Sequence, residues 1–311
     1  MSYHIVNIDS PQCSLSCKDG QLTCRVDGEE KLRTIPLEDV ASIIITSFSA
    51  SVHSKLLIEA ARHGIALILC EAFQPVSIML PANRSTDTLL TRAQLDITGR
   101  EKETLWRRTV NAKVKNQLLL ARHLAPDDPK LEELQTISAC KHEHKEAMAA
   151  RTHWGIFGRA LGIEDFVRER DQGGVNALLN YGYAVLLSTV LQKLFGVGLD
   201  PTFGIFHATR EQATPLAYDL MEPFRPCVDW RVAQWVRKNK ADLETAPLEV
   251  NKAFRAWVTA FPLEKVDYLD MTLEIRGVIE GVVRSFRRAV LEHKPTTYHP
   301  WTPNSTKWVG C

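Results

Sequence analysis

The sequence predicts an α+β protein, an N-terminal β-rich domain followed by a larger all-helical domain. Three observations lead there. Residues 1–80 consist of short, near-alternating apolar runs broken by Asp19-Gly20 and Asp27-Gly28, pairs that favour hairpin turns. Beyond Pro81 the apolar residues recur at helical spacing over long stretches. A chain of 311 residues can also bury a large core, as one big domain or two moderate ones. The expected boundaries are 1–80 for the β-rich unit, 81–90 for a linker, 91–293 for the helical unit and 294–311 for an irregular tail.

Within the first unit, HIVNID, CSLSCKDG, QLTCRVDGE and KLRTIPLEDV read as strands, and ASIIITSF as a more fully buried one. Residues 54–63 form a short amphipathic helix closed by Gly64, and IALILCE returns as a buried strand. This unit is slightly acidic and suits packing or dimerisation. Seven cysteines, an odd number, point to reduced thiols and a cytoplasmic setting. Cys13, Cys17 and Cys24 lack a partner pair at zinc-site spacing. No basic start with an apolar run opens the sequence, and no apolar stretch is long enough for a membrane span.

The segment PANRSTDT is turn-rich, and residues 91–124 read as one or two long helices. The formal net charge of +1 does not announce a nucleic-acid binder. Residues 81–125, however, carry nine Lys or Arg against four Asp or Glu. Arg107, Arg108, Lys113 and Lys115 there, with Arg284, Arg287 and Arg288 on the last helix, are candidate phosphate contacts. Asn116 and Gln117 would add hydrogen-bond donors on roughly the same side. A solvated helix face with internal ion pairs explains the same charges. Residues 175–197 are apolar all round, as in a central core helix, and the amides of Asn176 and Asn180 need partners inside it. The tail PTTYHPWTPNSTKWVGC has no periodicity, so it is expected to be disordered or to fold only against a partner.

The chemistry concentrates between Phe206 and Asp229. His207 follows a glycine-rich loop (Gly196, Gly198, Gly204) that lets backbone approach something closely, a phosphate being one candidate. Thr214 can cap the next helix, Pro215 suits its first position, and Asp219 and Glu222 share one face. Pro223 withholds an N–H from the carbonyl of Asp219, so the helix should bend where its acids sit. Glu146, on a helix expected over 137–161, completes a set of carboxylates and an imidazole suited to Mg²⁺ or Mn²⁺. Taken singly, a histidine such as His207 is more often structural than a ligand, and 219–225 can equally be a surface helix with local ion pairs. His142, His144 and Glu146 offer a competing zinc-hydrolase reading. On a helix the two histidines point about 200° apart, which weighs against it.

The runs AKVKNQ, LNYGYAVL, GLDPTFGIFH and LAYDLMEPFRPCVD resemble the CRISPR-associated integrase family, the endonucleases of spacer acquisition, with the DLMEPFRP form most like type II members. The resemblance covers nearly the whole chain. It implies a metal-binding and catalytic triad of Glu146, His207 and Glu222, where many members have aspartate at the third position. Asp219 would support it, and Asn176 and Tyr181 would shape the site.

The resemblance further implies homodimers joined through the strand-rich units, two of which clasp a central dimer of a small companion protein. Double-stranded DNA would be the substrate and the type II effector nuclease a further partner, in the cytoplasm and away from membranes. A protospacer 3′-hydroxyl would attack the phosphodiester at the repeat boundary, aligned by Mg²⁺ or Mn²⁺. The runner-up is a catalytically silent DNA-binding scaffold of the same fold.

Overall fold

The computed structural model describes residues 4–10, 12–71, 74–79, 88–169, 172–207, 213–239, 248–304 and 308. Most of the expected 81–90 linker lies outside the described residues.

The first unit holds two four-stranded sheets. One has the order β1 (His4–Ile8), β5 (Val40–Ile45), β7 (Ala66–Glu71), β8 (Gln74–Met79), with the first three strands parallel and β8 antiparallel to β7. The other has the order β4 (Arg33–Pro36), β3 (Gln21–Val26), β2 (Cys13–Lys18), β6 (Ser51–Val52). Asp19 and Gly20 both take positive φ, 50° and 74°, as a tight β2–β3 hairpin requires. Helix α1 (Ser54–Arg62) buries Leu56 and Ala60 in a core shared with Leu15, Leu37 and Ile43. Every residue of β5 is buried, Ser42 included, as its largely apolar run predicts. The reason is that its sheet is covered on both faces: Ile43 and Ile45 point into the first core, while Ile44, Ala66 and Ile68 join the core of the helical unit.

That larger core surrounds α6 (Val175–Gly196), whose Leu178, Leu179, Val185, Leu186, Val190 and Leu194 are all fully enclosed. Before it come α2 (Thr88–Leu95), α3 (Gly99–Leu124), α4 (Leu131–Ala139) and α5 (Lys145–Leu161). The stretch expected as one or two helices is therefore two. Thr98 separates them, its hydroxyl accepting from Glu101 N–H while the Glu101 carboxylate accepts from Thr98 N–H at 2.8 Å. After α6 follow α7 (Pro215–Met221), a 3₁₀ turn (Glu222–Phe224), α8 (Arg225–Lys238), α9 (Lys252–Thr259) and α10 (Ile275–Leu291). Among the described residues no helix is long and apolar enough to cross a membrane.

Three expectations need correction. The helical unit expected over 91–293 is not all-helical, because β9 (Lys265–Tyr268) and β10 (Met271–Glu274) form an antiparallel hairpin within it. Val266 and Tyr268 alternate inward with Asp267 between them, a period-2 pattern that outweighs the helical spacing further on. The helix expected over 137–161 is broken, and residues 140–144 lie between α4 and α5. His142 and His144 therefore do not lie on a helix; both are exposed in this connection.

The tail is the third correction. Its described part is packed against the chain itself, with Tyr298, Trp301 and Trp308 all buried. Trp301 stacks on Phe224 (ring centroids 5.4 Å, interplanar angle 6°) and donates its indole N–H to the Asp267 carbonyl. Large aromatic area removed from water explains the order of a segment without periodicity.

Candidate active site

The site is assembled from three places in the chain: the middle of α3, the first turn of α5, and the segment from Gly204 to Arg225. Helix α7 starts with Pro215 at its first position. The Thr214 side chain makes no cap there, contrary to expectation. Asp219, fully buried, instead organises the preceding loop. Its carboxylate accepts from the backbone N–H groups of Ile205 (2.7 Å), Phe206 (3.2 Å) and His207 (3.2 Å), and meets His207 Nδ1 at 2.7 Å. Gly204 permits this closeness. A Cβ there would lie 3.1 Å from Asp219 Oδ2 and 2.7 Å from both the His207 carbonyl and Pro215 Cβ. The glycine-rich loop thus wraps a carboxylate of its own chain.

At Pro223 the helix changes to a 3₁₀ turn, as the missing N–H predicts, and this turn presents Glu222. Asn116, fully buried on α3, donates one amide to both the Pro223 and Trp301 carbonyls (2.8 and 3.0 Å). It is a strut beneath the turn, not the DNA-facing donor expected, and Gln117 is buried too.

Lys113 is the centre of the site. Its Nζ lies 2.6 Å from Glu146 Oε1 and 2.7 Å from Glu222 Oε2, with only 12% of the side chain exposed. Its assignment to a surface phosphate contact is therefore overturned: α3 turns it inward. Arg225 Nε lies 2.9 Å from the other oxygen of Glu222. Burial pushes the Glu222 carboxyl up, but Arg225 and Lys113 outweigh it and hold the group below the usual carboxylate value, with His207 close enough to contribute. Burial likewise pulls Lys113 down, while Glu222 and Glu146 more than compensate and raise it.

Behind Glu222 the network continues. The Arg225 guanidinium sits 4.7 Å from the Tyr183 ring centroid; Tyr183 donates to Asp229 at 2.5 Å, and Asp229 meets buried His153 at 3.2 Å. These residues escaped the sequence reading. The available signal was their polarity at positions of α5, α6 and α8 that otherwise pack apolar side chains. Of the supporting residues expected, Asn176 braces the loop before α6, accepting from Arg168 and from Glu169 N–H, and Asn180 accepts from the same arginine. Tyr181 is fully buried on the other side of α6 against Phe254, in the electrostatic range of Asp9, Arg255 and Cys70, so it does not shape this site.

The basic candidates divide. Arg108 donates to the Tyr298 carbonyl and anchors the tail. Arg284 pairs with Glu280 and Arg288 with Glu292, each at 2.8 Å and one turn apart, while Arg287 donates to the Val197 carbonyl. Arg107 and Lys115 are exposed and make no ion pair among the described residues. The solvated-face reading thus accounts for Arg284 and Arg288.

The donor set suits a hard divalent cation in kind: two carboxylates face one cationic centre, and His207, whose Nδ1 is taken by Asp219, makes no hydrogen bond through its second ring nitrogen among the described residues. Glu222 Oε2 is buried, and the Lys113 ammonium 2.7 Å away faces it. The three expected ligands do not form a ready cage, however. Among the described residues no group of three His, Cys, Asp or Glu side chains is placed to hold a metal. Lys113 stands between the carboxylates, and a cation would have to displace it.

Fold and site together define a two-part α+β protein carrying a carboxylate–imidazole centre in the helical part. A profile of the CRISPR associated protein Cas1 family matches residues 6–247. The CRISPR-associated endonuclease Cas1 of Neisseria meningitidis serogroup C is 34% identical over 239 residues, covering 75% of this chain and 76% of that one. Two solved structures share the fold. A casposase bound to integration product has a TM-score of 0.75 at 19% identity, covering 98% of this chain and 96% of that one. A Cas6-RT-Cas1–Cas2 complex has a TM-score of 0.75 at 14% identity, covering 96% of this chain and 36% of that one. The chain belongs to the Cas1 family of CRISPR-associated proteins, endonucleases and integrases of CRISPR adaptation.

Proposed function

We propose that this chain joins the 3′-hydroxyl ends of a protospacer into a CRISPR repeat by transesterification, at the centre made by Glu146, His207 and Glu222. The observation that supports it most is the convergence of Glu146 and Glu222 on one cationic centre beside a histidine fixed by Asp219. The reaction forms one bond from the attacking 3′-oxygen to phosphorus and breaks the phosphorus–oxygen bond of the target strand. The attacking hydroxyl loses a proton, and the leaving 3′-oxygen gains one.

Glu146 and Glu222, with the free nitrogen of His207, would hold Mg²⁺ or Mn²⁺, which supplies charge neutralisation at the phosphate. With Nδ1 donating to the Asp219 carboxylate, His207 would keep its lone pair on Nε2, able to ligate or to take a proton. Arg225 fixes one Glu222 oxygen and leaves the other directed at the centre.

The chain would work in the cytoplasm as a homodimer joined through residues 1–80, with double-stranded DNA and a small companion protein. The Cas2 named with a Cas1 relative of the same fold supports that partner. The type II assignment rests on the DLMEPFRP form of the motif. A second reading, a catalytically silent DNA-binding scaffold, is favoured by the ammonium of Lys113 between the two acids.

The test is incubation of the protein and its companion with a protospacer duplex and a supercoiled repeat-bearing plasmid, with and without Mn²⁺. Joined product that needs the metal, and vanishes in His207→Ala and Glu222→Ala, supports the integrase. DNA binding without joining supports the scaffold.

A further inference from the structure

Phe206 is 60% exposed, although it immediately precedes His207 in a backbone segment held by Asp219. Asp219 accepts from the N–H groups of Ile205, Phe206 and His207, so the loop is held with its phenyl ring outward. The ring is not loose. It lies flat on Trp106 of α3, with centroids 4.2 Å apart and planes within 3°. The His207 imidazole stands edge-on to both rings, 5.5 Å from Phe206 and 5.9 Å from Trp106. One aromatic face is therefore covered by indole, and among the described residues no second ring stacks on the opposite face of this largely exposed side chain, whose centroid lies 5.5 Å from that of the histidine.

We propose that Phe206, backed by Trp106, is a stacking platform for an unpaired nucleobase at the 3′ end of the strand entering the site. A parallel aromatic stack with one open face suits a third flat ring, and base–aromatic stacking is tolerant of sequence because every base has a π-face. A paired base is already stacked within its duplex, so the platform selects a base that has left it. Seating that base on Phe206 brings its own sugar and 3′-oxygen alongside His207. The platform rests on the proposed strand-joining reading for its choice of ligand. Phe206 is a binding residue, and Trp106 a positioning residue that acts through it.

The probe is a DNA duplex with a short single-stranded 3′ overhang carrying 2-aminopurine as its last base, with 2-aminopurine inside the duplex as control. Stacking on the platform quenches the overhang fluorophore. Phe206→Trp keeps the quench. Phe206→Leu, which preserves apolar volume without a π-face, loses it and weakens binding of the overhang about 10-fold or more, with the dependence on salt unchanged. Melting temperatures of both variants show that the loop still folds, and a structural role alone would not separate leucine from tryptophan. An equal quench in wild type and Phe206→Leu, or none in wild type bound to the overhang, overturns the platform. Strand joining without a Phe206-dependent quench removes the platform and leaves the integrase. Such a quench without joining does the reverse, and absence of DNA binding sinks both.

Discussion

Asp219 holds His207 by ring and by backbone at once: one carboxylate oxygen lies 2.7 Å from Nδ1 and 3.2 Å from the histidine's own N–H. The carboxylate fixes ring orientation and tautomer together. Asp219→Asn keeps the size but can present an amide donor to Nδ1, which no longer needs its proton. Strand joining should fall about 10- to 100-fold with DNA affinity unchanged, by analogy with outer-shell partners of metal-bound histidines. Wild-type rates in this variant would show that His207 needs no such holder.

Gly204 makes that arrangement possible. In Gly204→Ala the added methyl meets the His207 carbonyl and Pro215 at 2.7 Å, neither of which is a flexible side-chain end. The loop must shift off Asp219, so activity should drop and stability fall by about 1–3 kcal/mol. Calorimetric melting alongside the joining assay checks both; an unchanged melting temperature would mean the loop relaxes freely.

Lys113 competes with any divalent cation for Glu146 and Glu222. Lys113→Met removes the competing charge and leaves two facing carboxylates. The variant should lose stability in chelator, because buried charge is left uncompensated, and regain more of it than wild type on adding Mn²⁺. Thermal unfolding against Mn²⁺ concentration reads this directly. Equal Mn²⁺ shifts in both proteins would place the cation elsewhere.

The Glu222 carboxyl is held below its ordinary value, so its ionised form is worth more in the folded state than in the unfolded chain. That contribution is complete above the unfolded carboxylate pKa of about 4.3, and it fades as pH falls through the lower folded value. Glu222→Gln should therefore be less stable than wild type near neutrality, and the gap should narrow below about pH 4. Urea unfolding at pH 7 and pH 3.5 measures the gap, and a constant difference would detach the effect from this charge.

Arg107 and Lys115 are exposed and without an ion pair among the described residues, whereas Arg284 and Arg288 each have a glutamate one turn away. Neutralising Arg107 and Lys115 together should flatten the salt dependence of binding to a generic duplex by about one to two units of log–log slope. Neutralising Arg284 and Arg288 should leave it nearly unchanged. The opposite ranking would mean that DNA runs along α10.

By itself the sequence determined the order of the two units, the buried strand β5, the apolar helix α6 and the break at Pro223, because each follows from local spacing or from a missing N–H. Its motifs also picked out His207, Asp219, Glu222 and Glu146. Only the tertiary structure decided what those residues touch. Lys113 looks like any surface lysine until α3 packs beside the first turn of α5 and the 3₁₀ turn, where its ammonium meets both carboxylates. The tail's aromatics look disordered until Phe224, Asp267 and Thr109 supply partners. Charge and hydrogen bonding across more than a hundred residues depend on which helix faces close on one another. That facing is set by the shared apolar core, which no local pattern encodes.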